Sequence, residues 1–374
     1  MKKCPYCDFN SHALRGEIPE QEYVDALLRD LEFELSPAPD PRPLTSVFFG
    51  GGTPSLFSSA AIGRVLEAVA KRLDFASDIE ITLEANPGTA DASNFRGYRA
   101  AGVNRLSIGV QSLNAAHLKA LGRIHGPEEA RRAVEMARTA GFDNINLDLM
   151  YALPQQTLAE AEADIRAACA LEPEHLSYYH LTLEPNTEFH AHPPPLPDSD
   201  TAWDMQEQGV RMLADCGYVQ YEVSAYARAG RQCKHNRNYW TFGDYLGVGA
   251  GAHGKRTVSA PHAARLTSHA VMRRARHKHP RAYLDTAGTA QALQEEKAVP
   301  AADLPFEFAM NALRLNEGFD LRQFESRTGQ PAALLAAPLA KAQGRGFLEI
   351  SETQIRPSPQ GRAFLNQLVG LFLP

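Results

Sequence analysis

Cysteine, tryptophan and long apolar runs are all scarce in this chain of 374 residues. Five cysteines, an odd and sparse set, argue against a disulfide framework and for a reducing compartment, so a cytoplasmic location is expected. No apolar run reaches the ~18 residues needed to span a bilayer, so no transmembrane segment is expected. Lys2 and Lys3 are followed by no apolar stretch, and no signal peptide is expected. Positive charge is not in excess: the net charge is −6, which disfavours a general affinity for nucleic acid or acidic membranes. What remains is an ordinary globular mix, 44% hydrophobic and 22% charged, long enough for a large core and more than one domain.

Along the chain, residues 20–35 read as a helix with Tyr23, Leu27, Leu28 and Leu31 on one face, followed by Pro37, Pro39, Pro41 and Pro43. Short apolar segments then alternate with helical ones. Strands are expected over 46–49, 79–83, 105–109, 144–149, 175–183 and 219–223. They read as apolar nearly throughout, as strands covered on both faces should. Strand and helix alternating through short loops imply an α/β fold with a parallel sheet. With no strand ahead of Cys4, an open, partial (β/α) barrel fits better than a closed one.

The chemistry of such a barrel sits at the carboxyl ends of its strands. That rim carries Gly50-Gly51-Gly52-Thr53-Pro54, then Glu84, Gln111 and Asp148. Any one of these also fits a cap or a turn; four in succession point to a site. The glycines let backbone N–H groups approach a charged ligand. Glu84 and Asp148 can accept hydrogen bonds from ammonium or ribose hydroxyl groups, and Arg123 can meet a carboxylate with its fork. The rim suits a zwitterionic nucleoside. Cys4 and Cys7 form a C-x-x-C pair, which alone fits a redox couple, half of a zinc site or part of an iron–sulfur site.

Together these residues resemble the radical S-adenosylmethionine (SAM) enzymes, in the branch that holds oxygen-independent coproporphyrinogen III oxidase and the haem chaperones. Cys4-Pro5-Tyr6-Cys7 is similar to the last two cysteines of the C-x-x-x-C-x-x-C motif that binds a 4Fe–4S cluster. The resemblance implies that the segment Gly51, Gly52, Thr53 holds the amino group of SAM. It makes Glu84, Gln111, Arg123 and Asp148 its other contacts. The first motif cysteine would lie one position before Met1, and the expected reason is a misplaced start that also removes the first barrel strand. Real loss of that ligand is the alternative. Phe9 stands where the oxidase branch has a further cysteine, as in the chaperone branch. His235-Asn236-Arg237-Asn238-Tyr239-Trp240 resembles that branch's H-N-x-x-Y-W motif, and the glycine-rich run from Tyr245 to His253 resembles it too. A flat macrocycle wants aromatic walls, close backbone approach and an axial nitrogen. His235, Asn236, Tyr239, Trp240 and His253 are therefore candidate haem residues.

Residues 253–281 hold eight lysines and arginines, five histidines and no acid. They read as a solvated loop or as a basic cover for haem propionates or an acidic partner. From Pro300 onward seven acids balance seven bases, which supports DNA binding poorly. That part resembles the small, helical, winged-helix-like domain that ends this branch, with a last helix over 361–372. The expected division is a barrel over 1–235, a haem-motif extension and basic linker over 236–300, and a helical domain over 301–374. The leading functional expectation is a haem chaperone that carries a cluster and SAM and passes haem to acceptors such as respiratory enzymes. Oxidative decarboxylation of coproporphyrinogen III and a cluster-free haem-binding module are the alternatives. A homodimer is left open.

Overall fold

The computed structural model describes residues 3–12, 18–36, 41–89, 91–259 and 269–374. They fall into two units, each with its own core. The first comprises Met1–Asp25, Asp40–Gln220 and Ser224–Cys233; the second comprises Ala26–Pro39, Tyr221–Val223 and Lys234–Pro374.

Seven strands form the main sheet: β1 Leu44–Phe49, β2 Phe75–Ala85, β3 Arg105–Gln111, β4 Ile145–Tyr151, β5 His175–His180, β6 Val219–Glu222 and β7 Ala225–Ala227. Their order is β1-β2-β3-β4-β5-β7-β6. The first five run parallel and curl into a partial barrel. The expected parallel strand near 219–223 does not join β5: β7 intervenes, antiparallel to it. Crossover helices start at Ser58, Asp91, Asn114, Thr157 and Asp198, whose side chains accept hydrogen bonds from backbone N–H groups of the first turn. Each such cap stabilises its helix by about 1 kcal/mol.

The strands are not apolar throughout. Ile81 and Leu83, Leu106 and Ile108, Ile145 and Leu147, and Leu176 alternate with polar residues and pack into one buried cluster. Trimming any of these leucines to alanine would cost about 2–5 kcal/mol. The alternate positions are Glu80, Thr82 and Glu84; Arg105 and Ser107; Asn146 and Asp148; His175, Ser177 and Tyr179. Side chains two apart share a face, so the barrel has a polar lining. It is cross-linked: Asn146 Nδ2 donates to Ser107 Oγ and to Asp148 Oδ1, each at 2.8 Å. Asn146 Oδ1 accepts from Ser177 Oγ at 3.1 Å and lies 2.6 Å from His175 Nδ1. Such bonds offset the desolvation of buried polar groups.

In the second unit most of the described part of the basic stretch lies in strands. Strands β8 His253–Ser259, β9 His269–Arg276 and β10 Leu293–Ala298 form an antiparallel sheet in the order β10-β9-β8; residues 260–268 lie outside the described residues. Its bases meet acids from far along the chain. Arg276 pairs with Asp30 and Glu34, all three buried, and Tyr283 Oη donates to Asp30 Oδ2 at 3.0 Å. Arg274 pairs with Glu34 and Glu296. A second sheet, β11 Phe319–Asp320, β12 Leu348–Ser351 and β13 Gln354–Pro357, is ordered β11-β13-β12. Phe242, Phe308, Phe319, Phe324, Ile355 and Leu368 centre the core beside it. The expected terminal helix is two, Pro359–Ala363 and Leu365–Gly370, because Phe364 leaves helical geometry (φ −114°, ψ 41°) and stacks on Phe347.

Candidate functional site

The residues expected at the rim gather at one end of the parallel strands of the first unit. After β1 the chain turns through Gly51 and Gly52, at φ 81° and 62°, a region that favours glycine. Gly51 N–H donates to Glu84 Oε2 at 3.1 Å. Thr53 opens the short helix Pro54–Leu56 without a side-chain cap bond. Glu84 sits one residue from the end of β2. Burial first, and then the charge of Asp148, push its carboxyl up to about 7, against the Gly51 bond. Asp148 is inside β4 rather than at its end, opposite Ser177 of β5. Burial raises its carboxyl too, opposed by the Asn146 bond. Two acids held above their ordinary range in one recess suit a cationic ligand.

Gln111 ends β3 where the register with β4 shifts, at φ 70°. Its Oε1 accepts from Tyr179 Oη at 2.9 Å. Arg123 Nη2 donates to Gly109 O at 2.6 Å, and a Cβ on Gly109 would lie 3.1 Å from Gln111 Nε2 and 3.4 Å from Arg123 Nη2. The backbone must stay bare there for both side chains to lie against it. Arg123 Nη1 lies 3.5 Å from Tyr6 Oη and 3.9 Å from Cys4 Sγ. Its Nε is buried with no hydrogen-bond partner among the described residues. Beside it, burial and then the Arg123 charge lower His125 to about 4, so the imidazole is neutral at pH 7.

Cys4 and Cys7 share a turn closed by Cys7 N–H donating to Cys4 O at 3.1 Å. The turn is docked, with Phe189 N–H donating to Pro5 O at 3.0 Å and Tyr6 packed beside Phe189. Burial raises the Cys7 thiol. SAM would fit this donor set: the recess of Glu84 and Asp148 would suit its ammonium, and the unmet Arg123 Nε–H its carboxylate. For a 4Fe–4S cluster the described residues bring two thiols here. Cys169 ends the helix Leu158–Cys169, Cys216 caps the helix Ser199–Asp215, and Cys233 lies against Glu80 at 3.5 Å. Tyr6, Gly109, Asn146 and Tyr179 are the site residues that sequence reasoning missed; the alternation of β3, β4 and β5 was the available signal for the last three.

The second group of candidates belongs to the second unit. On the helix Lys234–Trp240, His235 and Tyr239 are four residues apart on one face, with ring centroids 6.1 Å apart. Tyr239 meets Tyr245 edge-on at 4.7 Å. Tyr239, Trp240, Tyr245, His253, Lys255 and Arg273 line a cavity of about 260 Å³. His235 reaches this group through Tyr239, and Asn236 does not line the cavity. A Cβ on Gly247 would overlap the His253 carbonyl, which explains a glycine in that run. Lys255 is buried; burial lowers it to about 8, opposed by Asp244 at 3.0 Å. Burial alone would raise Asp244, but the Lys255 charge brings it down to about 2. Arg273 and the asparagine Asn311 belong to no local motif.

No helix among the described residues is long and apolar enough to cross a membrane. The sequence pattern of the radical SAM superfamily matches residues 1–168, and that of the HemN C-terminal domain matches residues 299–364. The haem chaperone HemW of Haemophilus influenzae is 48% identical over 376 residues, spanning 100% of this chain and 95% of that protein. HemW of Escherichia coli is 48% identical over 373 residues, with 100% and 95% spanned. HemW of Bacillus subtilis is 33% identical over 385 residues, with 99% and 96% spanned. Among solved structures, the radical SAM enzyme coproporphyrinogen III oxidase (HemN) of Escherichia coli shares the fold. Its TM-score is 0.79 at 24% identity, across 99% of this chain and 87% of that one. SAM and a 4Fe–4S cluster are the cofactors this superfamily implies. The partial parallel barrel, the acid recess beside the glycine turn and the full-length identity agree: the chain belongs to the radical SAM superfamily and, within it, to the HemW family.

Proposed function

We propose that the protein is a haem chaperone that carries a 4Fe–4S cluster and SAM, binds haem and passes it to acceptor proteins such as respiratory enzymes. The observation that carries this reading is the cavity walled by Tyr239, Trp240 and His253, in a chain whose relatives are haem chaperones over their full length. Cys4 and Cys7 hold the cluster. Gly51, Gly52, Thr53, Glu84, Gln111, Arg123 and Asp148 hold SAM, whose one-electron cleavage at the sulfonium is the chemistry such a pair supplies when bound. Glu84 and Asp148 take its cationic part, Arg123 its carboxylate, and Tyr179 keeps Gln111 in place. His235, Tyr239, Trp240 and His253 face the haem, and Asn236 completes the motif. The protein acts in the cytoplasm.

The test is haem titration of the reconstituted full chain, followed by transfer to an apo-acceptor, read from the Soret band. Binding and transfer are expected, with Tyr239→Ala weakening binding at least about tenfold, since such aromatic anchors contribute ~2 kcal/mol or more. No binding sinks the proposal. Formation of protoporphyrinogen from coproporphyrinogen III, under anaerobic reducing conditions with SAM, would put an oxidase in its place. Unchanged uptake and transfer in a Cys4→Ala, Cys7→Ala double variant would leave a cluster-free haem-binding module.

A further inference from the structure

The cavity of the second unit offers about 260 Å³. Pockets that enclose drug-sized ligands run to roughly 300–1,000 Å³, and an iron porphyrin is larger than most of those ligands. The macrocycle does not fit inside; an edge with one side arm does. The wall decides which edge. Trp240 lines the cavity, and its indole Nε1–H is buried without a hydrogen-bond partner among the described residues. A buried donor left unmet is costly, and an indole only donates. The Arg314 guanidinium, itself paired with Glu222 at 3.2 Å, lies 4.3 Å over the same ring and holds it in place. Arg273 also lines the cavity. Its Nη1 donates to Tyr245 Oη at 3.1 Å and its Nη2 to Glu307 Oε2 at 2.7 Å. Those two bonds aim the fork but do not exhaust the five N–H groups of a guanidinium. Lys255, by contrast, spends its ammonium on Phe242 O, Gly243 O and Asp244 Oδ1 at 2.9, 3.4 and 3.0 Å. It serves as a fixed charge in the wall.

We infer that the cavity receives one propionate carboxylate of the porphyrin, bound by Arg273 and the Trp240 indole N–H, while the macrocycle stays at the mouth beside Tyr239 and His253. The inference rests on the haem reading above and adds the orientation of the ligand. A methyl or vinyl edge would leave the Trp240 donor unmet. A carboxylate meets it with a charge-assisted bond and adds a second from Arg273.

Haem and its dimethyl ester, titrated into the full chain in one mild detergent, test this. The wild type is expected to bind haem at least about tenfold more tightly than the ester, since each hydrogen bond to a charged group is worth ~1.5–3 kcal/mol. Trp240→Phe keeps the ring and removes the donor; Arg273→Gln removes the charge. Each should weaken haem binding several-fold and leave the ester unaffected. If Arg273→Gln unfolds because Glu307 loses its partner, Trp240→Phe alone decides. Equal affinity for haem and ester in the wild type, or a full preference kept in Trp240→Phe, overturns the inference and leaves the chaperone reading standing. Binding of neither ligand overturns both.

Discussion

In the first unit Glu84 and Asp148 share a recess and repel each other, and neither forms an ion pair among the described residues. In the second unit Asp30, Glu34, Asp244 and Glu307 each meet a lysine or arginine within the fold. Glu80 of the first unit also meets an arginine, Arg105 at 3.9 Å, so the contrast lies between Glu84 and Asp148 on one side and the ion-paired acids of both units on the other. A buried charge whose partner lies in the same fold is a structural element. A buried charge without one stores unfavourable free energy that a ligand of opposite sign can release. This contrast assigns Glu84 and Asp148 to ligand binding and the ion-paired acids to architecture, and it can be broken at either end.

The largest effect is expected at Arg276. Replacing it by methionine keeps the stem and leaves Asp30 buried opposite no guanidinium, while Glu34 keeps only Arg274. Breaking such a group from one side costs about 3–5 kcal/mol. Chemical denaturation should show the midpoint falling accordingly; an unchanged midpoint would mean that the network is not structural.

Glu84→Gln should act in the other direction. The folded-state carboxyl titrates near 7, against an ordinary value of 4.5. A raised carboxyl favours the fold while both states are protonated, and that advantage is lost as pH rises from the ordinary value through the folded one. Glutamine should therefore match the wild type below about pH 4.5 and exceed it above pH 7. The gain has a ceiling of about 3 kcal/mol from the shift and is smaller if the recess admits water. Thermal unfolding across that range reads it directly. The same variant should lose SAM affinity, whereas a structural acid would lose stability on neutralisation. If Glu84→Gln is destabilising at pH 8, the contrast fails.

A smaller effect tests the coupling of the two acids. Asp148→Asn removes the charge that helps to raise Glu84, while burial remains the larger cause. The pH at which the advantage of Glu84→Gln stops growing should then move down from about 7 towards the ordinary carboxylate value, and the advantage itself should shrink. A double-mutant cycle isolates the pair from the desolvation each acid also suffers.

The same contrast explains what could be read from the chain beforehand. Gly51, Glu84, Gln111 and Arg123 were legible because the alternation of strands and helices puts them at one rim, whatever their partners. The polar lining was legible in principle: Glu80, Thr82 and Glu84 alternate with Ile79, Ile81 and Leu83. The stronger apolar signal of the same segments hid it. The pairing of Arg276 with Asp30 was not legible, because those residues are 246 positions apart and neither carries a local pattern. A basic run without acids reads as solvated unless its distant partners are known. The break at Phe364 was hidden for a similar reason, since stacking on Phe347 is a tertiary contact that overrides helical periodicity.

Tyr179 gives the finest test. Its hydroxyl donates to Gln111 Oε1 at 2.9 Å, and Gln111 is held at φ 70°, a conformation costly for any residue but glycine. A backbone strained at the end of a strand persists only when its surroundings hold it, and this bond is one of the restraints. Tyr179→Phe removes the donor and keeps the packing. A single neutral hydrogen bond is worth about 1 kcal/mol, so stability should fall by about that much. If Gln111 serves only the fold, SAM affinity should be untouched. If its carboxamide belongs to the site, affinity should fall about three- to fivefold without any change in the pH profile set by Glu84. Loss of affinity together with a shifted profile would place Tyr179 within the electrostatics of the acid recess instead, and the polar lining would then act as one unit with the rim.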